Sequence, residues 1–290
     1  FGGKLYFGFT PRLRLFYDHT VKEGLPAWMK KEEKSYSYAD MLFGYSTEDE
    51  SYKSRVSFMD AVVLKENCEE KQECNAILAE PKPTSYLDYL VQEQRGTTYN
   101  SKEFKLRGVK QYWLRDGEPI ENVEEGKENK DYVSRFAPLK ENTVFEGKVR
   151  FHNLRKEELG LLLWSMKPCK KAWMNIGKGK PLGYGTIELE IISAKKQDDL
   201  CAYSLSNFTL DPFADINVST FINAYKSCIR KEIKEQPNKP LEEIEPIKSF
   251  IAIKSSDKLL DSEKIRYMSI NNREYQNRQE PLKTVAEMMK

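Results

Sequence analysis

A chain of 290 residues with 39% hydrophobic and 32% charged residues carries enough apolar side chain for a core and a large solvated surface. A net charge of only +2 excludes a domain that is basic throughout, so contact with nucleic acid must rest on local clusters of Lys and Arg. Five cysteines, an odd number without tight spacing, exclude a secreted disulfide scaffold and predict a reducing cytoplasm. No apolar run reaches the length of a membrane span and no signal peptide is visible, so no membrane partner is expected. The chain opens on Phe1, which predicts a processed chain or part of a longer one.

In chain order, residues 4–9 read as a strand stopped by Thr10 and Pro11, followed by alternating basic and apolar residues from Arg12 to Phe16. Residues 36–43 predict a short helix closed by Gly44. Residues 55–64, rich in β-branched and apolar side chains, predict a strand. A polar, cysteine-containing stretch follows, and Thr84 or Ser85 caps a short helix over Tyr86, Leu87, Leu90 and Val91. Residues 93–108 read as an irregular basic loop, 109–114 as a strand and 116–131 as a charged, mobile insertion.

The pattern is clearest from 143 to 192. Residues 143–151 predict a strand with Phe145, Val149 and Phe151 on one face. Asn153 is the expected N-cap of a helix with Leu159, Leu162, Leu163 and Met166 on its apolar face, ended by Pro168. A glycine- and lysine-rich loop, 177–185, leads to a strand at 186–192 that turns Ile187, Leu189 and Ile191 inward. Strand, helix, loop and strand make half of a ferredoxin-like (RRM-like) fold. The expected class is α+β, with insertions in the core. The expected domains are 1–195, with an insertion around 66–142, and a mostly helical extension at 196–290 whose Val218, Phe221, Ile222, Tyr225 and Ile229 share one helical face.

The 177–185 loop is the strongest local signal. Its four glycines open the backbone N–H groups to an anion, Lys178 and Lys180 add charge, and Tyr184 offers a ring to a base or ribose. It is no Walker loop, because neither lysine is followed by Ser or Thr and a strand follows in place of a helix. The alternative is a turn whose glycines serve geometry alone. Around 105–115, Arg107, Lys110, Tyr112, Trp113 and Arg115 interleave charge with aromatic rings, which suits single-stranded RNA or, alternatively, a half-buried strand. The stretch Arg12, Arg14, Tyr17, His19 is a shorter version. With two histidines, His19 and His152, and a loose Cys68-x5-Cys74 spacing, no metal and no cofactor is expected. Asp18, His19, Asp60 and Asp116 are the acid–base candidates for RNA cleavage, and none stands out, so the catalytic residue is left open.

In this order, FGFTP (7–11), YDHT (17–20), MLFGY (41–45), SRVSFMDA (54–61), RGVKQYW (107–113), FHNLRKEELGLLLW (151–164) and GKGKPLGYG (177–185) resemble the RAMP superfamily, the repeat-associated proteins of type III CRISPR effectors. The likeness spans about residues 4–192 and is greatest to backbone-subunit relatives, including RAMP domains fused into giant effectors. It implies a ferredoxin-like core that holds guide RNA along a filament of similar domains. Lys178, Gly179, Lys180, Gly183 and Tyr184 would then touch guide RNA, with Arg12, Arg14 and His19 near it and Arg55 structural. The implied partners are CRISPR guide RNA, complementary target RNA and other RAMP subunits or domains. The aspartate with which some members cut target RNA has no matching position. Two alternatives stand beside this reading: an endoribonuclease using Asp18 and His19 or Asp60, and an assembly protein without RNA contact.

Overall fold

The computed structural model describes residues 7–9, 16–25, 35–78, 80, 84–92, 96–123, 126–127, 130–197, 213–233, 239–266 and 281–290. The expected strand at 4–9 and the residues Arg12 and Arg14 fall largely or wholly outside them. In chain order the helices are α1 (Tyr38–Phe43), α2 (Tyr86–Tyr89), α3 (Lys156–Met166), α4 (Val218–Glu232), α5 (Glu245–Lys254) and α6 (Val285–Met288). The strands are β1 (Tyr45–Ser46), β2 (Ser51–Tyr52), β3 (Val56–Phe58), β4 (Val62–Val63), β5 (Cys74–Ile77), β6 (Val133–Phe136), β7 (Phe145–Glu146), β8 (Val149–Phe151), β9 (Trp173–Asn175), β10 (Thr186–Glu188), β11 (Lys195–Gln197) and β12 (Phe213–Asp215). The architecture is α+β, and its sheets are small, two-stranded and antiparallel. Among the described residues no helix is long and apolar enough to cross a membrane.

The chain divides into two compact units. The larger comprises Tyr36–Leu78, Gln111–Tyr267 and Val285–Lys290. Its core forms where α3 meets α4, α1 and the β3/β8 pair: Leu42, Val56, Leu159, Leu162 and Leu163 are buried, with Val149, Phe151, Val218, Phe221 and Ile222 packed around them. Each such side chain contributes about 1.5–3 kcal/mol on burial. A second cluster of Trp164, Tyr225 and Leu241 takes in Ile247 and Ile251 of α5. The two helices approach so closely at Gly160 that a Cβ there would run into the Phe221 carbonyl and sit 2.9 Å from the Tyr225 Cβ. α1 begins at Ser37, whose hydroxyl accepts from the Asp40 N–H, and ends at Gly44 as the sequence predicts.

Three of the strand pairs follow one another along the same two chain segments. β3 pairs with β8, β4 with β7 and β5 with β6, with a bridge between Glu69 and Leu139 on the way. The result is one long antiparallel ribbon. Its register slips between Glu69↔Leu139 and Cys74↔Phe136, where the first segment spends five residues and the second three, and, nearer the core, between Phe58↔Val149 and Val62↔Glu146, where it spends four against three. The slip nearer the core replaces the single strand expected at 55–64 by two short ones, and it moves Asp60 out of a strand into the exposed break between them. The strand expected at 143–151 is broken at the same place, so Phe145 is 45% exposed while Val149 and Phe151 reach the core. The N-cap of α3 is Arg155, two residues beyond the expected Asn153. Asn153 instead holds a left-handed φ of 51° and offers its carbonyl to Arg55.

The smaller unit comprises Phe1–Ser35, Ala79–Lys110 and Met268–Thr284. Its described part packs around buried Leu87, Leu90 and Tyr99, with the Tyr99 ring against Tyr17 and Phe104. Backbone hydrogen bonds from Val91 to Lys105 and from Arg107 to Tyr89 tie α2 to the basic loop.

Candidate nucleic-acid interface

The 177–185 loop is the turn of a β-hairpin. β9 and β10 pair antiparallel, Asn175 opposite Thr186 and Trp173 opposite Glu188. Sequence reading missed β9, so the loop joins strand to strand and not helix to strand. Within the turn, 180–182 form a single 3-10 turn with Pro181 near its start, where a missing N–H costs nothing. Gly179 (φ 69°) and Gly183 (φ 104°) bracket it in left-handed conformations that a side chain would strain. They are also closely covered: a Cβ on Gly179 would lie 2.9 Å from the Tyr184 ring and 3.0 Å from Phe136, and one on Gly183 would lie 2.9 Å from the Arg115 Cδ.

Backbone donors divide sharply along the loop. Ile176 donates to Gly185, Leu182 and Tyr184 donate to Gly179, and Gly183 donates to Lys180. The N–H groups of Gly177, Lys178, Gly179 and Lys180 donate to no described residue. Four consecutive open donors with left-handed glycines at two of them have the makings of an anion-binding concavity. Lys178 is exposed and no described carboxylate pairs with it. Lys180 Nζ donates to the Gly177 carbonyl (2.7 Å) and lies 5.7 Å from the centre of the Tyr112 ring, a cation–π contact. The Tyr184 ring packs edge-on against Phe136 at 5.3 Å. Burial, then a hydrogen bond with the Cys74 thiol, pushes its hydroxyl well above the ordinary tyrosine range. Tyr184 therefore fastens the loop to the ribbon.

Tyr112 belongs to this hairpin region, although 109–114 form no strand. The hydrogen bonds of that segment go elsewhere: Arg115 bridges to Leu260, its guanidinium donates to the Ile265 carbonyl (2.9 Å), and the Tyr112 carbonyl accepts from Lys254 (3.3 Å). The insertion that follows is anchored at its start, for Ile120 donates to Leu182 and Asn122 exchanges two hydrogen bonds with the Ile77 backbone. The structure thus brings together Tyr112, Lys178, Gly179, Lys180, Gly183 and Tyr184. His19 and Arg107 lie in the smaller unit. His19 Nδ1 sits 2.7 Å from Glu23 Oε2 and its ring lies against Phe104, while Arg107 donates to the Leu282 carbonyl. The Glu23 carboxyl is held at about 2, first by the Thr20 N–H and then by His19. Of the acid–base candidates, Asp18 donates its backbone N–H to Asn100 Oδ1, and the Asp116 carbonyl accepts from Ser262 Oγ. No group of His, Cys, Asp and Glu among the described residues could hold a metal ion.

Sequence reading passed over Lys254 and Asn175. Lys254 is only 4% exposed, and its ammonium donates to Asn175 Oδ1 at 2.6 Å. The signal was a lysine closing the apolar run Phe250, Ile251, Ala252, Ile253.

The RAMP superfamily model matches residues 15–188, more than half of the chain, and this stretch contains the hairpin, the ribbon and α3. The chain belongs to the RAMP superfamily, whose members are associated with CRISPR-related RNA binding. No curated protein matches it closely.

Proposed function

We propose that this chain is a guide-RNA-binding backbone subunit or domain of a type III CRISPR effector, with the β9–β10 hairpin gripping the RNA backbone. One observation carries the reading: four open N–H groups at 177–180 stand beside Lys178, a cation that no described carboxylate neutralises. Such a turn is complementary to an anionic oxygen group such as a phosphate. Tyr112, with Lys180 over its ring, adds an aromatic side chain of the kind on which single-stranded RNA bases stack. The family supports the same ligand class.

In this reading β3, β8, α1 and α3 belong to a ferredoxin-like core, with an insertion around 66–142 and 196–290 as its mostly helical extension. Arg107 and His19, in the smaller unit, are further RNA-contact residues in this reading. Other RAMP subunits or domains flank the chain in the cytoplasm, and complementary target RNA pairs with the bound guide. Cleavage of that target belongs to a residue outside this chain.

The test is to purify the chain with its CRISPR array and sequence the RNA it retains, then repeat with Lys178→Ala/Lys180→Ala. Repeat-derived guides are expected with the wild type. The double variant should bind less tightly across all sequences, with a salt slope shallower by about 0.7 for each phosphate contact removed. Equal retention of RNA by the double variant would remove the hairpin from the interface.

A further inference from the structure

We propose that Lys254 is a positioning residue for the RNA-binding hairpin, and that segment 252–266 is a clasp that sets the hairpin against Tyr112. The inference rests on the RNA-binding reading above and adds to it a part of the chain beyond the family-matched residues 15–188.

Lys254 ends α5 and points inward. Its ammonium donates to two acceptors on different segments: Asn175 Oδ1, at the last residue of β9, and the Tyr112 carbonyl. No described carboxylate pairs with it, and burial pushes its proton affinity below the ordinary lysine value. A buried ammonium costs stability unless it is well hydrogen-bonded, so a lysine kept for packing alone is a poor choice at this position. What the charge does here is join β9 and the Tyr112 segment of the candidate site at one atom. Asn175 stands opposite Thr186, directly before the open turn, so its amide sets where Gly177 and Lys178 begin.

The rest of the segment repeats the same contacts on both sides. Toward β9, Ser256 N–H and Oγ both donate to the Lys171 carbonyl, Ala172 bridges to Ser255, and Lys171 pairs with Asp257. Toward Tyr112, the Asp116 N–H donates to Leu260, Ser262 Oγ donates to the Asp116 carbonyl (2.7 Å), and Arg115 donates to Ile265. Leu260 is itself buried. β9 and the segment around Tyr112 are therefore each bound to one C-terminal stretch, and the Lys254 ammonium is bonded to both.

The experiment compares wild type, Lys254→Met and Asn175→Ala in the intact chain by two readouts. The first is amide hydrogen exchange without RNA. Ile176 and Leu182, whose N–H groups close the turn, should lose protection in both variants relative to the amides of α3. The second is affinity for a guide RNA across a salt series. Both variants should bind about tenfold more weakly with the salt slope of the wild type, because no phosphate contact has been removed. Unchanged relative exchange at Ile176 and Leu182 overturns the positioning role whatever the RNA result. Loosened exchange with wild-type affinity also overturns it, provided that Lys178→Ala/Lys180→Ala weakens binding. If that double variant binds as well as wild type, it is the RNA reading of the hairpin that fails. Should Lys254→Met not fold, Asn175→Ala, at a half-buried position, carries both readouts.

Discussion

Arg55 and the lysines of the 177–185 loop lie in the same compact unit, yet their charges are met in opposite ways. Arg55 donates to both oxygens of Glu158 (2.6 and 3.0 Å), to the Asn153 carbonyl and, through Nε, to the Met41 carbonyl. Four hydrogen bonds engage all three guanidinium nitrogens, and the Arg55 and Glu158 side chains are 10% and 8% exposed. Glu158 also accepts from the Arg155 N–H, so one carboxylate caps α3 and neutralises the cation. At the hairpin Lys178 faces solvent, Lys180 finds only a carbonyl and a ring, and Lys254 is buried on an amide and a carbonyl. Arg55 is matched by a carboxylate, because an unmatched buried charge is expensive, whereas the buried Lys254 rests on neutral acceptors alone. Cations left unmatched around an open turn keep their field for a ligand.

The largest effect should come from breaking the matched pair. Glu158→Ala leaves Arg55 buried without its counter-charge and removes the cap of α3, so the loss is expected at about 3–5 kcal/mol. Denaturant midpoints would show it, and a loss below 1 kcal/mol would refute the contrast. Acid acts on the same pair. Burial alone would raise the Glu158 carboxyl, but the hydrogen bonds from Arg55 and Arg155 outweigh it and hold the group below the ordinary carboxylate value. The folded value is therefore lower than the unfolded one. The pair's stabilisation is complete above the ordinary carboxylate range and fades as pH falls through the lowered folded value. Stability measured between neutral pH and strong acid should drop less steeply in Glu158→Gln than in the wild type.

Next in size is the packing that supports the pair. Gly160→Ala places a methyl group against the Phe221 carbonyl and should cost about 1–3 kcal/mol. RNA affinity of the folded fraction should stay at the wild-type level, since the unpaired donors at 177–180 belong to the hairpin and not to α3 or α4. A Gly160→Ala protein as stable as wild type would mean that the two helices can slide apart.

Legibility in the sequence follows the same division. The helices around the matched pair were readable because their signals are local: Ser37 and Gly44 bound α1, and the leucine spacing of α3 and the Val218 to Ile229 spacing of α4 mark their buried faces. The ribbon was readable only as separate strands, because the pairing of Val56 with Phe151 is a contact between distant segments that no local pattern records. Residues 109–114 have strand-like composition, yet the Tyr112 carbonyl accepts from the Lys254 side chain and no ladder forms, so propensity gave the wrong element. At the site the glycines and lysines were legible as a type of loop. What was not legible is that Tyr184 is spent on Phe136 and Cys74, and that a lysine from α5 reaches the base of the hairpin.

The smallest effect sharpens the comparison inside the hairpin itself. Lys178 and Lys180 are one turn residue apart and carry the same charge, but the structure uses them differently. Lys178 is exposed and braces nothing, so Lys178→Ala should leave stability within about 0.5 kcal/mol of wild type and lower the salt slope of RNA binding by about 0.7. Lys180 closes the turn by donating to the Gly177 carbonyl and rests over Tyr112. Lys180→Ala should therefore loosen exchange at Leu182 and Gly183 before any RNA is added, and weaken binding with a smaller change of slope than Lys178→Ala. If the two variants gave the same slope and the same exchange, the division between a bracing and a ligand-facing lysine would fail. The open turn would then have to be described as one uniform patch of charge, with no lysine built into its frame.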